Sequence, residues 1–422
     1  VLSASGGVPG PGQTNLRSRS RAISPVLTLD PTEAGPPLES PHPQTGTSTA
    51  ESSGIPHRKP ALPALTGLRT LLAVNIMFFH FTPPLPQFIR PVVDNAFTFV
   101  GCFFLISGFI LAYNYADRPR LEKRKFYVAR LSRVYPVYLL VLVLSIPFLF
   151  QEWQAHTHAD FYTGLILTPL ALQGWSPLLA TFWNTVGWTL PAELMLYLAF
   201  PYILRFIQSQ AEWLDTPLRL SALILGLWAL GITPHIWYFL TNPDHLDAQA
   251  NRYTYAYWLR VLKYTPIAYV CTFTAGIVLA RLHALLALGP LRRGVLALTA
   301  LAGLGLFFAF GAARIPYVLI HGSLLLPLFS LLLLGLAGSN VIASAFAWKP
   351  IVLLGETTFA LYLVHFNAFL LIHFYKLPER LHVAQFDPWI SYAFIMALAA
   401  LITFKYERPA RNFVLTRLSP AR

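Results

Sequence analysis

The chain has 422 residues, of which 55% are hydrophobic and only 12% charged; soluble domains average about 25% charged residues. That composition excludes an ordinary water-soluble domain and points to an all-α polytopic integral membrane protein. The formal net charge of +13 then reads as topology and not as a nucleic-acid signal, because cations collect in the cytoplasmic loops of membrane proteins.

Residues 1–58 stand apart. They are rich in Pro, Gly, Ser and Thr and contain no aromatic residue, so they cannot bury enough apolar surface to offset their ordering entropy. A disordered tail is expected there, followed by one membrane domain over 59–418. Apolar segments predict about ten transmembrane helices, near 61–82, 92–113, 134–150, 186–208, 218–240, 262–284, 294–312, 316–338, 350–375 and 387–406. A shorter run, 161–173, contains Gly164 and Pro169 and reads as a re-entrant or interfacial piece. Cys102 and Cys271 both fall in apolar runs, where inert buried thiols are the norm.

The first span carries two side chains able to hold a charge, Arg69 and His80. Eleven helical steps rise roughly 16 Å and leave the two about 20° apart around the axis. Both therefore lie on one stripe of the helix, and an ionisable residue at membrane depth marks a functional pathway by default. By the same counting, Ser107 in the second span falls near the level of Arg69, and Glu193 in the fourth near that of His80. Glu193 is therefore expected to orient the imidazole of His80. Pro191 removes one helical hydrogen bond and frees the carbonyl of Gly187.

With the N-terminus inside, 23 of the 31 Lys and Arg fall on the cytoplasmic side and seven outside, with Arg69 in the membrane. This is strongly positive-inside, and counting 161–173 as a full span would destroy the asymmetry. The loop from Asp117 to Arg133 is the most basic. Arg130 and Arg133 share a helical face, and their guanidinium forks suit phosphate oxygens. Glu356, Tyr362 and His365 are polar positions in the ninth span, and Glu407 and Arg408 are placed to clip helix ends at the inner surface. Outside, His156 and His158 form an HxH without an evident third ligand, so no metal is expected. Nucleotide-hydrolysing and zinc-protease motifs are missing from the sequence.

The segments LTGLRTLLAVNIMFFH, CFFLISGFIL, FYVARLSRVYPVYLL, GWTLPAELMLYLAFP, GETTFALYLVHF and YERPARNF, in that order, resemble the membrane acyltransferase-3 family over about residues 60–415. The resemblance implies a ten-span enzyme of the cell (inner) membrane with both termini cytoplasmic. It would move a short acyl group from acyl-CoA to a hydroxyl of a carbohydrate or related acceptor, with no permanently bound cofactor. His80, Arg69 and Glu193 take the catalytic positions, and Arg130, Arg133 and Ser107 the donor end. The extracellular hydrolase-like domain of longer members is not expected after the tenth span. A proton-coupled transporter using the same residues as a relay is the alternative, but no inverted repeat is apparent.

The charge asymmetry makes a topological prediction. Ser176→Cys, in a background lacking Cys102 and Cys271, is expected to react with an impermeant thiol reagent in intact cells. Labelling only after permeabilisation would reverse the assignment of 151–185 to the outside.

Overall fold

In lipid, every backbone N–H and C=O must find a partner within its own segment, and apolar runs between prolines and polar caps accordingly become helices. The computed structural model describes residues 59–118 and 121–418, and among them no strand occurs. The tail expected at 1–58 lies outside the described residues. The principal helices are α1 (Pro63–His80), α2 (Thr98–Tyr115), α3 (Lys123–Leu144), α4 (Thr189–Ser209), α5 (Pro217–Thr241), α6 (Val270–Leu286), α7 (Pro290–Leu306), α8 (Leu326–Leu336), α9 (Thr358–Phe374), α10 (Trp389–Leu401) and α11 (Arg408–Leu418). Side chains of Thr216 and Asn340 cap α5 and the short helix Val341–Phe346, whereas most other helices start with proline or no side-chain cap.

Eight stretches are long and apolar enough to cross a bilayer, and a ninth results if Lys349–Gly355 and α9, bent by 70°, form one span. The chain is thus a multi-pass integral membrane protein. α1 has 18 residues, but Arg69, Asn75 and His80 hold its hydropathy below that of the others; with it the count reaches the expected ten. It is also deeply placed. Leu65, Leu68, Leu72, Ile76 and Met77 are each at most 5% exposed, and α1 packs against α2, α9, Val341–Phe346 and Lys349–Gly355.

The doubtful run at 161–173 forms a helix of only ten residues, His158–Leu167, about half of what a bilayer requires. It is tied to α3: the Tyr138 hydroxyl donates to the Thr168 carbonyl at 2.6 Å, and the Tyr135 hydroxyl donates to the carbonyl of Pro169. The following stretch, 176–188, is not helical, yet Ala180, Phe182 and Asn184 are buried. Its backbone is held by side chains. Asn367 donates to the Trp183 carbonyl at 3.1 Å and Gln173 donates at 3.1 Å to the Gly187 carbonyl, while the Asn184 side chain donates to the Leu363 carbonyl of α9 at 3.0 Å.

The most extensive helix pairing joins α2 and α6. A Cβ on Gly108 would lie 2.1 Å from the carbonyl oxygen of Phe273, and one on Gly276 would lie 2.2 Å from that of Leu105. These two backbones therefore touch directly, the arrangement small residues permit between membrane helices. Gly276→Ala is expected to destabilise the protein by about 1–3 kcal/mol through overpacking. Gly226→Ala, in α5 with nothing within 4 Å of the added methyl, should be neutral or stabilising by up to about 1 kcal/mol. Thermal unfolding of both variants in detergent compares them, and equal melting temperatures would refute the close contact.

Candidate active site

Five helices surround an internal cavity of about 150 Å³, on the order of ten waters by the measure in which one water needs about 10–15 Å³. α1 contributes Arg69, α2 Ser107, α3 Arg130 and Arg133, α4 Thr189, Glu193 and Tyr197, and α9 Tyr362. Phe103, Phe104 and Ile110 supply apolar wall. Arg69, Ser107, Arg130, Arg133 and Glu193 are thus brought together, and His80 is not among them.

The charges in this region are unbalanced. Arg133, Glu193, Tyr197 and Glu407 are the ionisable neighbours of Arg69, and Arg411 lies near Arg130 and Arg133. Four guanidinium groups therefore face two carboxylates. Glu193 accepts a hydrogen bond from the Tyr197 hydroxyl, one helical turn further on. Arg130 reaches Tyr115 at 3.5 Å, and the Nε atoms of Arg130 and Arg411 are buried without acceptors. Uncompensated buried charge is costly, so a cavity of this kind is complementary to an anion. Glu407 reaches the cluster from a wide π-helical turn, Ile402–Glu407, a feature frequent at functional sites. Arg408 leaves in another direction and pairs with Glu356 at the bend before α9, which joins two helix ends as expected; Glu407 does not share that clip.

The expected pairing of Glu193 with His80 is not found. The depth expected for Glu193 assumes a helix running inward from residue 186. Instead the buried, non-helical stretch 176–188 carries the chain into the bundle first, and α4 starts at Thr189 beside the cavity. Glu193 therefore sits at the level of Arg69. His80, at the end of α1, is flanked by rings: Phe366 at 5.0 Å, Phe79 at 5.1 Å and His365 at 5.4 Å between centroids.

His365 is 1% exposed. Its Nδ1 lies 2.8 Å from the Tyr362 carbonyl, which only accepts, so in the neutral ring Nδ1 carries the proton. Nε2 then presents a lone pair, buried and without a donor. Tyr362, one turn earlier, lines the cavity and has Glu193 as an ionisable neighbour. Tyr362 and His365 thus link the cavity to His80 along one face of α9. Helical spacing contained this signal, since residues three and four apart are neighbours: Glu193 with Tyr197, Tyr362 with His365, Glu407 with Arg411. What it could not give was the partner helix each pair meets. The HxH residues diverge: His156 pairs with Glu152 at 3.2 Å and His158 stacks on Trp153. Among the described residues, no group of three or more His, Cys, Asp or Glu could hold a metal.

Comparison with known proteins bears on this geometry. The acyltransferase domain of the acyltransferase-3 family matches residues 62–406. The acyltransferase MdmB of Streptomyces mycarofaciens is 27% identical over 339 residues, covering 74% of this chain and 80% of that protein. The O-acetyltransferase OatA of Staphylococcus aureus is 20% identical over 385 residues, covering 83% of this chain. The chain spans only 57% of OatA. No solved structure matches. With the family matched over most of its length, this chain belongs to the acyltransferase-3 family and is a membrane acyltransferase that transfers groups other than amino-acyl groups.

Proposed function

We propose that the protein moves a short acyl group from acyl-CoA, bound from the cytoplasmic side, to a hydroxyl of a carbohydrate or related acceptor on the far side of the cell membrane. The observation that carries this reading is the cavity in which Arg69, Arg130 and Arg133 meet Glu193 and Tyr362. Arg130 and Arg133, with Arg411 beside them, suit the phosphates of CoA, because guanidinium groups bind phosphate oxygens with two parallel hydrogen bonds. The cavity itself is too small for the nucleotide and suits the thin arm, which carries the thioester past Arg69 toward His80. Ser107 lines the same passage. Glu193 and Tyr197 hold Arg69 toward the donor, a role different from orienting the imidazole. Both termini lie in the cytoplasm in this reading.

His80 acts as the general base. The acceptor oxygen attacks the thioester carbonyl carbon as its proton passes to His80; the C–S bond breaks, and the proton returns to the departing thiolate. A neutral imidazole can accept that proton as the oxygen attacks. His365 supplies the lone pair of Nε2 beside His80, taking the supporting place that Glu193 is too far away to fill. OatA is an O-acetyltransferase by name, which supports oxygen as the acceptor atom and a short acyl group.

Two measurements test these assignments. Arg133→Ala should weaken CoA binding to the purified protein by about 1.5–3 kcal/mol, the range for hydrogen bonds to charged groups; unchanged affinity in a folded variant removes Arg133 from the donor site. His80→Ala should fold and bind CoA normally yet lose turnover by about 10² to 10⁴. His365→Ala should lose less, in kcat and not in donor affinity. Near-normal turnover by His80→Ala would overturn its role, and an acyl adduct trapped on His80 would replace direct transfer by a two-step route.

A further inference from the structure

The chain between α5 and α6 carries Arg252, Arg260 and Lys263 within twelve residues, three of the seven cations assigned to the outer side. Cations are sparse in outer loops, so such a cluster needs a cause. Arg260 has a structural one. It donates to the carbonyls of Pro177 and Leu178 at 2.7 and 3.2 Å and to the Thr181 hydroxyl at 3.2 Å, pinning the start of the buried stretch 176–188.

Lys263 has no such explanation. It is 6% exposed, and its ammonium lies 5.3 and 5.4 Å from the ring centres of Tyr264 and Tyr317. None of the ion pairs among the described residues includes Lys263 or Arg252. The loop carboxylate of Asp244 is engaged by the Tyr238 hydroxyl and the backbone N–H groups of Trp258 and Leu259. Burial and Arg260 push the Lys263 ammonium down to about 8. Ring faces offset only part of the desolvation of an ammonium. His321 and then His235 lie beyond it, and neither ring nitrogen of His235 has a hydrogen-bond partner.

The cluster adjoins the reacting end of α1. The Arg252 guanidinium lies over Phe79, 4.9 Å from its centre, and reaches the Phe79 carbonyl at 3.5 Å. Arg252 is also the charged neighbour of His80 and of Tyr317. Phe79, Phe97 and Tyr317 form a chain of rings, at 5.9 and 4.9 Å, leading from His80 to Lys263.

We infer that Arg252 and Lys263 form the acceptor site's anion pocket, so that the acceptor carries a carboxylate or phosphate close to the hydroxyl that is acylated. This rests on the acyltransferase reading above, with His80 at the reacting hydroxyl. The anion supplies the missing counter-charge, and the rings of Tyr264, Tyr317 and Tyr253 stack against a sugar face.

Binding of glucuronate, glucose 6-phosphate, inorganic phosphate and glucose to the purified full chain, measured with saturating CoA already on the donor site, tests it. At least one anion is expected to bind about tenfold or more tightly than glucose, as a charge-assisted hydrogen bond gives. The preference should vanish in Lys263→Met and Arg252→Gln, survive in Lys263→Arg, and leave CoA affinity untouched in all three. No anion preference in the unsubstituted protein overturns the inference, as does a preference that persists in both Lys263→Met and Arg252→Gln. A preference lost in Arg133→Ala but kept in Lys263→Met places the anion at the donor end and also overturns it. Failure of CoA to bind at all counts against the donor reading instead.

Discussion

Everything polar in this molecule is arranged around one electrostatic constraint: Arg69 is charged, lies in the middle of an apolar helix, and cannot face lipid. A lone charge at membrane depth costs several kcal/mol, so the helix that bears it must be enclosed. α1 is accordingly packed between α2, α9 and the short helices 341–346 and 349–355, while α3 and α4 bring Arg133, Glu193 and Tyr197 to the same cavity. Enclosure of Arg69 creates the internal space lined by Glu193, Tyr197 and Tyr362. The remaining helices, α5 and α7 among them, present broad apolar faces outward and carry few of the groups discussed.

The second constraint is the non-helical stretch 176–188. Irregular backbone at membrane depth is tolerated only where protein covers it and its polar groups are paired. Here the pairing is done by Gln173, Arg260 and Asn367. Its consequence is to start α4 deep in the bundle, which moves Glu193 from the level of His80 to that of Arg69. His80 is then left with aromatic and imidazole neighbours. In the proposed reaction, proton handling at His80 and charge compensation at Arg69 become separate tasks, connected by Tyr362 and His365 on α9.

Much of this was legible in the sequence because lipid makes hydropathy a strong signal. Most spans appear within a few residues of the expected positions, and 161–173 is too short to cross. Arg69, Ser107, Arg130, Arg133 and Glu193 do share one cavity. What was not legible depends on breaks in the helices. Residue-by-residue depth counting assumes a continuous helix, and the chain before Thr189 is not one. The partnership of His80 with His365 joins residues 285 positions apart, and no local spacing encodes the rotation of α9 against α1. Nothing in the sequence marks Lys263 as buried; only the folding of helix Tyr257–Tyr264 against Tyr317 makes it a buried cation.

The backbone contact between α2 and α6 has a mechanical consequence. Most packed helices slide by exchanging side-chain rotamers across their interface, the basis of shear motions. Gly108 and Gly276 leave no side chain to exchange, and each backbone fits against the carbonyl of the other helix. α2 and α6 therefore move as one beam, and the wall of the cavity that carries Ser107 is rigid. The opposite wall, on α3, ends in a helix whose first turn, Lys123 to Lys125, is exposed, and it meets α11 across an apolar groove of about 790 Å³. Dilation of the cavity falls to that wall, so Arg130 and Arg133 ride on the part of the bundle able to give way.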